Sequence, residues 1–229
     1  RTAKEWLDDR VAAYADDRIV PAVRSGHAGR AVVAEAEERE GSVVVVGHRG
    51  DSRVSLMLGS NANYVLHHTA HPVVVVRGDE VRPPRKIVVG VDDHDLDVRD
   101  EHENPSVRAL RWAMTLPGVE EVRVIHAWFL PALAIGMFAT VTSDVDAMDD
   151  AAQRTASRVV SIAGPAPSGV KVTAEAVRGT PGFGLIEASR DADLVVVGSR
   201  GRGGFADVIV SSTKTEVAAH AHAPVAVVR

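Results

Sequence analysis

The sequence predicts a doubly wound α/β protein built from two tandem copies of one domain, and three observations carry that expectation. Residues 43–77, VVVVGHRGDSRVSLMLGSNANYVLHHTAHPVVVVR, and 194–229, LVVVGSRGRGGFADVIVSSTKTEVAAHAHAPVAVVR, repeat one order of features. Each runs from apolar strand through G-x-x-G, turn, helix and Pro step to a second apolar strand and an Arg, the self-similarity expected of a duplicated unit. Short Val-rich runs alternate with helix-length segments along the chain, the pattern of parallel strands buried on both faces and joined by right-handed crossovers. With 229 residues the chain is long enough for two cores.

The second copy shows the whole unit. Lys86 to Asp92, KIVVGVD, reads as a first strand, and NPSVRALRWAMTL as the first helix, with Asn104 at the N-cap and Pro105 at the first helical position. A strand over 122–128, a helix over about 144–163, a strand over 170–178, a helix over about 181–190, a strand over 194–198, a helix over about 212–221 and a strand over 225–229 complete it. In the first copy, 1–17 reads as the second helix, 18–24 as the third strand, 28–39 as the third helix, 43–47 as the fourth strand, 61–69 as the fourth helix and 73–77 as the fifth strand. Counterparts of the first strand, first helix and second strand are not found, and the chain opens on Arg1, so the first domain reads as incomplete; the first strand is central in such sheets, and a domain without it would expose a long apolar edge. The expected boundaries are 1–78 for the incomplete domain, 79–85 for a Pro-containing linker and 86–229 for the complete domain.

Composition excludes several function classes. Twenty-six basic and 31 acidic side chains give a net charge of −5, which suits neither nucleic acid nor an anionic membrane surface. There is no cysteine, hence no disulfide, thiolate catalysis or cysteine-held metal. The valine runs fall far short of the roughly 20 apolar residues of a membrane helix, and a cytoplasmic location is expected.

In an open parallel sheet, ligands bind beyond the carboxyl ends of the strands. Asp92 at the end of the first strand, the His126-Ala127-Trp128 end of the second, and the loop after Val197 should converge there. Gly198 and Gly201 allow a tight turn that presents N–H groups to an anion. Ser211, Ser212 and Thr213 fall where the next helix is expected to begin, and Arg200 and Arg202 can add charge-assisted hydrogen bonds. A strand-to-helix turn with no ligand is the alternative for an isolated G-x-x-G. No G-x-x-x-x-G-K-[ST] is present, and the glycines follow the fourth strand where a dinucleotide fingerprint would follow the first.

The spacing of these features resembles the universal stress protein family in its tandem two-domain form. Gly198, Gly201, nine intervening residues and Ser211-Ser212 follow the G-x-x-G, nine residues, G-[ST] pattern of the ATP-binding branch, with serine in place of the third glycine. VGVD (Val89 to Asp92), RALRWA (Arg108 to Ala113) and VRGTP (Val177 to Pro181) are similar to further hallmarks of the family. The resemblance covers essentially the whole chain. It implies Rossmann-like domains of the adenine nucleotide alpha hydrolase type, each with a parallel five-stranded sheet. It also implies ATP as ligand, with Mg2+ as a candidate companion. Asp92 and the Ala127 backbone would contact adenine and ribose, Gly179 would line the cleft, and Gly198, Gly201, Ser211, Ser212 and Thr213 would hold phosphates. Two features depart from the pattern: Ser211 carries a Cβ where glycine is usual, and residues 93–103, DHDLDVRDEHE, form a longer and very acidic connection. In the first copy eight residues rather than nine lie between Gly50 and Gly59, Asp51 replaces an arginine, and a strand carrying the adenine-side Asp is missing, so the second copy is the expected binder.

His67, His68, His71, His220 and His222 fall near helix ends, where a cation favours the dipole, so a structural role is expected of them. Trp112 is expected to pack its helix on the sheet. Trp128 stands open between stacking on a base and packing in core or lid, and FLPALAIGMFATV (129–141) between a cleft lid and a dimer patch. No paired acid and base emerges at the strand ends, so a binder with at most slow ATP hydrolysis is expected; the resemblance implies a regulator of stress responses, and a homodimer is expected. The competing class is a nucleotide-free interaction scaffold whose final strands, Val73–Arg77 and Val225–Arg229, pair across domains or subunits. An ATP-using ligase or hydrolase would need a glycine-rich loop after the first strand.

Overall fold

The computed structural model describes residues 2–48, 58–77, 83–92, 104–129, 144–199 and 207–229, with backbone alone at 144 and 207–212. The first half contributes α1 (Ala3–Ala12), α2 (Ala28–Glu37), β1 (Val44–Gly47), α3 (Ser60–His68) and β2 (Val73–Val76). The second contributes β3 (Lys86–Val91), α4 (Pro105–Thr115), β4 (Glu121–Trp128), α5 (Asp144–Ala163), β5 (Lys171–Arg178), α6 (Pro181–Ala188), β6 (Leu194–Gly198), α7 (Asp207–His220) and β7 (Val225–Val228), with a 3-10 turn at Ser189–Asp191.

These strands form one seven-stranded sheet of order β1-β2-β7-β6-β3-β4-β5. The second half supplies five parallel strands, with β3 between β4 and β6, as a doubly wound unit requires. The first half supplies the parallel pair β1 and β2. The halves meet where β2 and β7 run antiparallel, with Val73 opposite Val227, Val74 opposite Ala226 and Val75 opposite Val225. This joint is self-complementary about a local two-fold centred on Val74 and Ala226: Val73 faces Val227, the counterpart of Val75, and Val75 faces Val225, the counterpart of Val73.

Two apolar layers hold the sheet. On one face Val44, Val73, Val75, Val88, Val195 and Val227 pack beneath α2, α3, α6 and α7. On the other Ile87, Val89, Val122, Val124 and Val196 pack beneath α4 and α5. The alternation along each strand explains the split. α4 starts as its sequence dictates: the Asn104 side chain accepts from the Val107 amide at 3.0 Å, and Pro105 occupies the first turn. At β1 the layering changes. Val44 is buried while Val45 is 61% exposed, and among the described residues no strand lies beyond β1.

Two sequence expectations need correction. Residues 18–24 are not a strand. A strand needs a ladder to join; this segment has no strand neighbour among the described residues, and Pro21 removes a donor from it. Ile19, Val20 and Val23 accordingly stay exposed. The helix expected over 212–221 begins instead at Asp207. Asp207-Val-Ile-Val contains neither Gly nor Pro, and an acidic first residue suits a helix N-terminus.

Candidate functional site

The register of the sheet aligns the carboxyl ends of four strands. Val91 lies opposite His126, Trp128 opposite Arg178, and Gly90 opposite Val197. Asp92, Ala127, Gly179 and Gly198 therefore share the edge at which the α4 and α6 N-termini also lie. The Asp92 end of β3 is fixed on both sides. Its amide donates to Ser106 Oγ at 3.1 Å, and the preceding Val91 carbonyl is 3.0 Å from His126 Nδ1. A carbonyl only accepts, so this contact puts a proton on Nδ1. Ser106 and His126 are both buried, so strand end and helix start form one unit.

The glycines at this edge have packing reasons that can be checked. A Cβ on Gly198 would lie 2.7 Å from the Pro105 carbonyl oxygen and 2.8 Å from its carbon. The first turn of α4 crosses the end of β6 too closely for any side chain. Gly179 sits at φ +139°, in the region that favours glycine, and donates its amide to the Trp128 carbonyl at 2.8 Å. A Cβ on Gly90 would lie 2.6 Å from a Leu185 methyl carbon, so β3 passes tightly under α6.

At the rim, Trp128 Nε1 donates to Asp149 Oδ1 at 2.8 Å. The Arg178 guanidinium grips the same carboxylate, its Nε donating at 2.8 Å to Oδ2, and lies 5.9 Å from the centre of the Trp128 ring. The hydrogen bond from Arg178 holds the Asp149 carboxyl below the ordinary carboxylate range and raises Arg178 in turn. Trp128 is thus half-buried at the strand end, with its indole fixed against α5.

Of the residues expected to meet phosphates, Arg200, Gly201 and Arg202 lie outside the described residues, as do 93–103, Gly50, Asp51 and nearly all of 129–141. Ser211, Ser212 and Thr213 lie inside α7, more than one turn from its start. Amides at that depth are engaged within the helix rather than free. Near the helix ends, His68 Nδ1 is 2.7 Å from the Tyr64 carbonyl with its ring stacked on Tyr64, and His67 faces Thr215 at 3.5 Å. Among the described residues no group of three or more His, Asp or Glu is placed to hold a metal ion.

The chain matches the universal stress protein family over residues 1–77 and 84–229. It belongs to that family. A universal stress protein of Mycolicibacterium smegmatis is 31% identical over 201 residues, 83% of this chain and 63% of the relative. One of Mycobacterium tuberculosis is 32% identical over 210 residues, 83% of this chain and 62% of the relative. The chain therefore spans somewhat under two thirds of these curated relatives. Of solved structures, a universal stress protein of Archaeoglobus fulgidus has a TM-score of 0.61 at 22% identity, covering 99% of this chain and 74% of that one. A putative universal stress protein of Pseudomonas aeruginosa has a TM-score of 0.66 at 16% identity, covering 100% and 78%. These two speak for the fold.

In this universal stress protein, sequence reasoning missed the brace of Asp149 and Arg178 around Trp128 and the Ser106–His126 clamp on β3. Arg178 was legible only as part of VRGTP, and Asp149 as one of several acidic residues on α5. Their pairing depends on the β4–β5 register, which no local motif encodes. Among the described residues no helix is long and apolar enough to cross a membrane.

Proposed function

We propose that this chain is a cytoplasmic, nucleotide-binding regulator that takes ATP in its second half. The observation that carries this reading is the convergence of Asp92, Ala127, Gly179 and Gly198 on one sheet edge, in the order the family resemblance calls for. Asp92 would accept from the ribose or adenine side, the Ala127 backbone would meet the base, and Gly179 would leave room for the sugar. Phosphates would lie between the loop carrying Arg200, Gly201 and Arg202 and the hydroxyls of Ser211, Ser212 and Thr213, with Mg2+ as companion. If α7 unwinds its first turn when phosphate arrives, the freed amides would join those hydroxyls. The proposed role is binding, with at most slow ATP hydrolysis.

The test is direct. Freshly purified full chain is denatured and the released small molecules are identified by mass spectrometry, and ATP is then titrated into Gly201→Glu. Adenine nucleotide in the first step and lost binding in the second are expected; tight binding that survives Gly201→Glu would refute the cradle.

A second reading, the nucleotide-free interaction scaffold, is favoured by one observation, the antiparallel pairing of β2 with β7. Since these strands satisfy each other within the chain, a homodimer would form through another surface. Absence of any adenine nucleotide binding by the full chain would favour this reading.

A further inference from the structure

The joint between the halves does more than pair two strands. Arg77, which follows β2, donates from Nη2 to the Ala218 carbonyl of α7 at 2.6 Å. Arg229, which follows β7, donates from Nη2 to the Leu66 carbonyl of α3 at 2.6 Å. Both pairs obey the offset of 152 residues that relates the repeats, so the contacts are one interaction made twice about the local two-fold. The accepting carbonyls belong to the last turns of α3 and α7, where a helix has no partners of its own. α7 receives a further donor from the first half: His48 Nε2 lies 3.2 Å from the Ala219 carbonyl, and His48 is buried. Burial lowers the Arg229 guanidinium from its ordinary range, which marks that site as partly desolvated.

α7 is also the helix whose earlier turns carry Ser211, Ser212 and Thr213. We infer that Arg77 is a positioning residue for the phosphate side of the second half: by gripping the far end of α7 it sets the axis and rotation of the helix that meets the ligand. This rests on the nucleotide reading given above. A helix of this length is stiff, so a shift at Ala218 is carried along it to Thr213. The guanidinium at the carboxyl end and a phosphate at the amino end also favour the same helix dipole. The first half thereby becomes part of the second half's binding site without touching the ligand. Arg229 does the same for α3, and so serves as an internal control.

The experiment compares full-length wild type, Arg77→Met, Arg77→Lys and Arg229→Met. Methionine keeps an apolar stem and drops the guanidinium. ATP affinity is measured by calorimetry well below the melting temperature of each variant, alongside amide hydrogen exchange. Arg77→Met is expected to weaken ATP by about five- to tenfold and to speed exchange in α7, while β3–β5 stays protected. Arg77→Lys is expected to recover most of the loss, and Arg229→Met to speed exchange in α3 with ATP affinity within about twofold of wild type. Folded Arg77→Met with wild-type affinity and unchanged α7 exchange would overturn the inference, as would equal ATP losses in Arg77→Met and Arg229→Met. Should Arg77→Met not fold, Arg77→Lys decides: a modest loss with faster α7 exchange supports the brace, and no change in either overturns it. Wild type that binds no ATP refutes the nucleotide reading instead and withdraws this role with it, while faster α7 exchange in Arg77→Met would still establish the contact.

Discussion

The two halves begin the same helix at different points. In the first, Gly59 caps α3 and Ser60 is its first residue, as the Gly-Ser pair suggests. In the second, Ser212, the counterpart of Ser60, lies five residues inside α7, which opens at Asp207. The first half therefore has a helix start of the kind that would suit a phosphate. The second half has the strand ends proposed to meet sugar and base, and its helix starts ahead of Ser211, Ser212 and Thr213.

A second correspondence runs through the α/β turns. Gly26 at φ +108° precedes α2 as Gly179 at φ +139° precedes α6. Gly29 then lies against Tyr64 of α3, as Gly182 lies against Glu216 of α7. Residues 18–24, aligned with β5 by these glycines, keep the turn and not the strand. Conformation set by a glycine survives alone, whereas a strand requires its neighbour.

The largest effect is expected at the glycines that end the fourth strand of each copy. Gly198→Ala drives a Cβ into the Pro105 backbone and should cost about 3 kcal/mol in urea unfolding, whereas Gly47→Ala, at an exposed position, should cost under about 0.5 kcal/mol. Equal costs would mean that α4 does not set the Gly198 requirement. Next come the turn glycines. Gly179→Ala and Gly26→Ala should each lose about 1–2 kcal/mol through backbone strain, yet only Gly179→Ala should also weaken ATP binding. Melting curves paired with titrations separate the two effects.

The smallest effect is expected at the α3–α7 contact. Burial, followed by Lys214, Arg229 and His68, lowers the His67 imidazole below its ordinary 6.5. The unfolded chain then binds more protons than the folded one in that window, so stability rises with pH. Acidification from pH 8 to 5 should cost well under about 1 kcal/mol through this group, given its solvent screening. His67→Gln should remove that share from the pH profile of unfolding, and an unchanged profile would contradict the assignment.

Much of the fold was legible because strands and helices carry local signals: KIVVGVD, the Asn104-Pro105 helix start and the repeat offset all led to the right elements. That Asp92, Ala127 and Gly198 fall at strand ends was legible in sequence for the same reason. What stayed hidden depends on long-range pairing. Val73 and Val227 face each other only once β2 and β7 meet, and Trp128 finds Asp149 only through α5 packing on β4 and β5. The early start of α7 was missed because the glycines of 198–204 drew the boundary toward the serines, while the apolar run 208–210 extended the helix backwards.

We propose that the second half of this universal stress protein holds the nucleotide. Calorimetric titration of ATP into the full chain, beside Asp92→Ala and Ser60→Ala, tests it most directly. The account predicts one nucleotide per chain, at least tenfold weaker binding in Asp92→Ala, on the order of the loss of one charged hydrogen bond, and no change in Ser60→Ala. Two nucleotides per chain, or binding lost in Ser60→Ala and retained in Asp92→Ala, would contradict it.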